Sequence, residues 1–200
     1  MSLLLKTPTV PVFVDRGYLT QAESTLEIRC SDRFLRDATV CGEREGELYR
    51  LEGNGLLTSW SMRRSLKSAS GEHLLDLRHY KSKLKQWIVE DPQGRELCII
   101  KDSISTEKQN TAAEAQILSS EGLFSISMQS SDHTGITTVF QVEGIPFAEM
   151  SLVENNDISF LHRRGLDRTA WKLRLAAGVD VALVLALAFC RIEISHSWRR

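Results

Sequence analysis

Gly178 to Cys190 reads GVDVALVLALAFC, and beyond Asp180 ten residues in a row are apolar. A helix from Val181 to about Ile194 spans about 20 Å at about 1.5 Å per residue, whereas a membrane span takes about 20 apolar residues and about 30 Å. Asp180 stops the run from lengthening backward and suits the N-cap position. Its carboxylate can accept hydrogen bonds from the orphan amides of the first turn, with Val179 and Val184 spaced as a hydrophobic staple. At the far end Arg191 and His196 sit where the helix dipole favours positive charge. A helix with no polar side needs apolar neighbours on every side. The expected core helix, over about 180–194, therefore lies inside the protein.

The surroundings are legible from Glu23 to Leu175, where apolar residues recur at every second position. In LEIRC, Leu26, Ile28 and Cys30 share one face; in FSISMQ, Phe124, Ile126 and Met128; in WKLRL, Trp171, Leu173 and Leu175. This is the pattern of half-buried antiparallel strands. Turn signals separate them: EGNG from Glu52, DPQG from Asp91, SSDHTG from Ser130, Gly144 to Pro146, and ENND from Glu154. The spacing predicts about a dozen strands. One segment breaks the rhythm: TEKQNTAAEAQIL, Thr106 to Leu118, reads as a surface loop or a short helix. A sheet that curls around the apolar helix and closes satisfies the helix and removes exposed strand edges. The expected fold is mainly β (α+β), a closed antiparallel β-barrel of about twelve strands around a central hydrophobic C-terminal helix.

The chain has 200 residues, 42% of them hydrophobic, enough to bury one core. Residues 1–22 read as a flexible N-terminal arm and 23–200 as a single barrel domain. MSLLLKTPTVPVF has too short an apolar run for a secretory signal. A net charge of −1 excludes the global basic field of a nucleic-acid binder. Cys30, Cys41, Cys98 and Cys190 are far apart, with no C-x-x-C pair. Cys41, Cys98 and Cys190 sit among apolar neighbours, so buried reduced thiols in a cytoplasmic protein are expected rather than a metal or redox site.

Two stretches resemble a known family. WKLRLAAGVDVALVLALAFCRIE, Trp171 to Glu193, is similar to the tubby C-terminal-like superfamily, and most of all to its LURP-one-related branch, where a strand runs through G-x-D into an apolar helix. HLLDLRHYKSKLKQWIVEDPQGRELCII, His73 to Ile100, is similar to that family's paired hairpins, with Trp87 ahead of an acidic turn. The resemblance extends over Glu23 to His196 and reaches also to phospholipid scramblases. It implies a twelve-stranded barrel threaded by the last helix. Tubby proteins bind phosphoinositides through a basic pocket, but the K-x-R string of that pocket occurs here only as Lys172 and Arg174 on the last strand, so the site is not carried over. The proline-rich region, cysteine cluster and acidic calcium loop of the scramblase branch are missing from the sequence.

The residues argue against an enzyme. There is no G-x-S-x-G, no H-E-x-x-H and no phosphate-cradling glycine loop. His73, His79, His133, His162 and His196 are scattered without metal-ligand spacing, leaving only a Cys–His pair assembled in three dimensions as a catalytic alternative. No cofactor and no metal are expected. The feature above background is basic: RRSLKSASGEHLLDLRHYKSKLK carries Arg63, Arg64, Lys67, Arg78, Lys81, Lys83 and Lys85 against Glu72 and Asp76. On a strand, Lys81, Lys83 and Lys85 line one face about 6–7 Å apart, and at an anionic membrane each would contribute about 1 kcal/mol. The same row also reads as a solvated edge that discourages strand pairing between molecules.

Two functions follow. The first is a non-enzymatic, monomeric, cytoplasmic interaction or regulatory module with an unknown protein partner, its partner surface on the loops. The alternative is a peripheral module binding anionic phospholipid or phosphoinositide through residues 63–85. A scramblase-like role or a tail anchor ranks below both. Trp60 and Trp198 offer further apolar contacts, with core burial the expectation for Trp60.

Overall fold

The structure, a computed structural model, describes residues 3–10, 12–31, 35–43, 46–53, 62–80, 86–104, 111–119, 122–131, 136–155 and 169–198. Its strands are β1 (Ser24–Cys30), β2 (Asp37–Gly42), β3 (Glu47–Gly53), β4 (Arg64–Ser68), β5 (His73–His79) and β6 (Gln86–Glu90). They continue as β7 (Glu96–Ile104), β8 (Thr111–Ser119), β9 (Gly122–Ser130), β10 (Thr137–Val142), β11 (Ile145–Asn155) and β12 (Thr169–Leu175). Each strand pairs antiparallel with the next, and β12 returns to β1, with Ser24 opposite Leu175 and Cys30 opposite Thr169, so the sheet closes into a barrel of twelve strands. This is the expected fold class.

The alternation decides which side chains point inward. Leu26, Ile28 and Cys30 of β1 and Trp171, Leu173 and Leu175 of β12 are buried in the core, while Arg29 and Lys172 of the same strands are exposed. Helix α1 (Val181–Trp198) occupies the interior, and from Ala182 to Cys190 no residue is more than 2% exposed. Each fully buried leucine of that stretch contributes about 1.5–3 kcal/mol, which is why a helix apolar on every side is stable only here. α1 is four residues longer than the sequence suggested, ending at Trp198 instead of Ile194. Among the described residues, no helix is long and apolar enough to cross a membrane.

The turns do what their composition demands. Gly94, at φ 84°, lets its amide return to the Asp91 carbonyl between β6 and β7. Glu143 and Gly144, both at positive φ, make the two-residue turn between Val142 and Ile145.

Three details differ from the sequence reading. Thr111 to Ser119 is a strand, not a loop or helix: Ala113, Ala115 and Ile117 point inward and are buried, while Glu114 and Leu118 are exposed. The alanines are small because the helix passes close to this wall, and their weak strand propensity hid the alternation. Residues 105–110 of that segment lie outside the described residues. Cys41 is only half-buried, because Val40 and Ala38 take the inward positions of β2; Cys30, Cys98 and Cys190 are buried.

The third difference concerns residues 3–10 and 12–20, part of the segment 1–22 read as a flexible arm outside the domain. They pack on the barrel end where α1 begins: Leu5 and Val12 belong to the core, Val12 bridges Val179, and Leu19 bridges Asp180. Gly178, at φ 80°, lies so close to Thr7 that any side chain there would press on its methyl group.

Candidate functional site

The basic stretch folds into β4, β5 and the residue before them, and alternation splits it. Arg64 points into the barrel beside Leu66; Arg63, Lys67 and Arg78 lie on the outer wall, where carboxylates of the neighbouring strands meet them. Arg63 donates to Asp76 Oδ2 at 2.9 Å and to Glu90 Oε2 at 2.6 Å. Arg78 donates to Glu90 Oε1 at 2.8 Å and Glu96 Oε1 at 3.3 Å. Ser65 Oγ donates to Asp76 Oδ1 at 2.7 Å, and His73 Nε2 lies 2.9 Å from the same oxygen. Lys67 Nζ donates to Glu52 Oε2 at 2.7 Å, which holds the Glu52 carboxyl below its ordinary range.

Asp76 and Glu90 sit directly opposite each other on β5 and β6 and are almost fully buried. Two carboxylates in that register repel, and the guanidinium groups of Arg63 and Arg78 neutralise them. The three outward basic residues of the stretch thus face four carboxylates, Glu52, Asp76, Glu90 and Glu96, and Arg50 of β3 lies 3.9 Å from Glu52 as well. Each of those three basic residues is engaged by at least one carboxylate. Lys81, Lys83 and Lys85, together with Trp60, His133 and His162, lie outside the described residues.

Inside the barrel, the second half of α1 meets a polar cluster. Glu193 accepts two hydrogen bonds from the Arg64 guanidinium at 2.7 and 3.1 Å, one from Trp87 Nε1 at 3.1 Å, and pairs with His79 Nε2 at 2.9 Å. His79 and Trp87 are cross-strand neighbours on β5 and β6, their rings 5.2 Å apart and tilted by 52°. Burial alone would raise the Glu193 pKa, but the Arg64 charge and the bond to His79 outweigh it and hold the carboxyl well below its ordinary range. A carboxylate held ionised and fully bonded is a poor proton donor or acceptor at neutral pH. Burial pushes the Cys98 and Cys190 thiols upward, so neither is a ready thiolate nucleophile. Arg191, placed by the sequence at the helix end as a dipole partner, is wholly buried and donates to Ser195 Oγ at 2.9 Å.

At its start α1 is held by Asp180. Oδ1 accepts from the Leu183 amide at 3.1 Å, the N-cap bond expected from the sequence. Oδ2 accepts from the amides of Val14 and Asp15, both at 3.1 Å, and thereby ties the N-terminal segment to the helix. Thr20 adds a second tie, donating from its hydroxyl to the Ala176 carbonyl and accepting from the Val179 amide. Burial pushes the Asp180 pKa up against the opposing pull of these amides.

Among the described residues, no three His, Cys, Asp or Glu side chains are grouped to hold a metal ion. The Glu193 cluster was missed by sequence reasoning, although a signal existed: Arg64 is in phase with Leu66, and an arginine on the inward face of a strand needs a buried acid.

The pattern of the LURP-one-related family matches residues 24–191. The fold is similar to that of a crystal structure of a protein from Arabidopsis thaliana, with a TM-score of 0.56 at 14% identity, covering 96% of this chain and 100% of the plant chain. No curated protein sequence matches.

Proposed function

Given that this chain belongs to the LURP-one-related family, we propose that it is a non-enzymatic interaction or regulatory module of the cytoplasm that engages a protein partner through the loops at the barrel rims. The observation that carries this reading is the filled interior: the volume in which another barrel of this size would hold a small ligand is taken by Ala182 to Cys190. Support also comes from the outer wall, where Arg63, Lys67 and Arg78 are already neutralised by acidic neighbours. Fold alone assigns no partner, so the discriminating experiment compares surfaces.

Purified protein is floated with neutral vesicles and with vesicles containing phosphoinositides at low salt, where electrostatic attraction is strongest. The expected result is no recruitment to either. Phosphoinositide-dependent flotation that disappears in a folded Lys81→Glu/Lys83→Glu/Lys85→Glu variant would replace this reading with a peripheral lipid-binding module.

A further inference from the structure

The rim at the start of α1 encloses a cleft of about 310 Å³, at the small end of the range of about 300–1,000 Å³ for ligand sites. The N-terminal segment forms one wall with Asp15 and Tyr18, the turn between β4 and β5 a second with Glu72, and the turn between β6 and β7 a third with Asp91. Leu75, Leu97 and Ala182 make an apolar floor, none of them more than 6% exposed. The concavity therefore has charged walls over a greasy base.

The acids are not equivalent. Asp91 is occupied by its own turn, accepting from the amides of Gln93 and Arg95 and from Arg95 Nε. Asp180 is occupied by the helix cap and the N-terminal segment. Asp15 gives Oδ1 to the Gly17 amide, and Glu72 gives Oε1 to the Tyr18 hydroxyl, both well exposed to an incoming group. No hydrogen bond among the described residues reaches the second oxygen of either. Burial, then the Glu72 carboxylate with Asp15 and Asp180 beyond it, pushes the Tyr18 pKa up to about 12, in keeping with a negative cleft. Such a cleft concentrates cations and rejects phosphate and carboxylate ligands.

We infer that this cleft binds an aliphatic ammonium group, whose carbon stem lies on Leu75, Leu97 and Ala182 and whose charge meets Asp15 and Glu72. The three donors of an ammonium on a flexible stem suit two separate carboxylates. That chemistry has two sources, the lysine side chain of a partner protein and a free diamine. The inference gives the interaction reading a ligand chemistry at one rim, yet the two fail separately: vesicle recruitment overturns the first without touching this one.

The test is a titration of the full chain, followed by amide chemical shifts, with a capped lysine tripeptide and with 1,5-diaminopentane. It is repeated on Asp15→Asn/Glu72→Gln and on a control pair of equal charge change, Glu114→Gln/Glu143→Gln. All four positions are exposed, so the variants keep the fold. The expected result is shifts at Leu75, Leu97 and Ala182, an affinity at least tenfold lower in the first pair, and no change in the control. Binding of the tripeptide but not the diamine supports a partner's lysine; equal binding supports a free amine. Equal weakening in both pairs, shifts only elsewhere, or no binding of either probe overturns the inference.

Discussion

The two ends of the central helix are secured by opposite means. At the start, one carboxylate, Asp180, is bonded to neutral backbone amides of its own first turn and of residues 14 and 15. At the other end, Glu193 is bonded to side chains of three barrel strands, one of them a guanidinium. The start is a local device extended by the N-terminal segment; the end is a long-range ion pair inside an apolar barrel. Buried ions are costly to desolvate, and the geometry around Glu193 offsets that cost only while every partner is present.

The largest test strikes the helix between its ends. Leu185→Asp places a charge at a position with no access to water, so no soluble, cooperatively melting protein is expected in circular dichroism. Next in size is Glu193→Ala, which breaks the bidentate pair with the 3%-exposed Arg64 guanidinium and should cost about 3–5 kcal/mol in urea unfolding. Arg64→Leu/Glu193→Leu should lose less than that single change, since it removes both members of the buried ion pair together. Asp180→Ala should cost less again, about 1–2 kcal/mol, and should open residues 3–20 to proteolysis. If Asp180→Ala proves the more damaging, the N-terminal segment and not the ion pair governs how the helix is held.

The two ends should also differ in pH response. Glu193 has a depressed pKa, so its contribution is complete above the ordinary carboxylate value of about 4.3 and is lost as pH falls below it toward the folded value. Asp180 has a raised pKa, so its end is relatively most stable below about 3.9, and that advantage is lost as pH rises through the folded value. Urea midpoints between neutral pH and pH 3 should therefore fall less steeply for Glu193→Gln than for the wild type, and more steeply for Asp180→Asn. The smallest effect belongs outside the barrel: Lys67→Ala breaks a half-exposed pair with Glu52 and should change stability by about 1 kcal/mol at most.

Much of this contrast follows legibility. Asp180 before an apolar run announces a cap because partner and acceptor are three residues apart. Glu193 announces nothing, because Arg64 is 129 residues away and only the barrel brings them together. The acidic neighbours of the basic stretch were hidden for the same reason: counted along the chain it holds Glu72 and Asp76 alone, whereas the sheet sets Glu52, Glu90 and Glu96 beside it. β8 was hidden by alanines, whose strand role depends on the helix behind them. The N-terminal segment read as an unattached arm because its apolar run is short, and its contacts, Val12 with Val179 and Leu19 with Asp180, span more than 160 residues.

The position of α1 in the chain orders events in time. All twelve strands precede it, and barrel closure joins Ser24 to Leu175 just before it begins. A ribosome therefore releases the whole wall before the material that fills it. Until α1 emerges, the inward leucines and isoleucines have only water or each other to contact, and pairings so distant in sequence form slowly. The nascent chain should depend on chaperone protection until α1 is made, and mutations in α1 should be felt as lost yield before they are felt as lost stability.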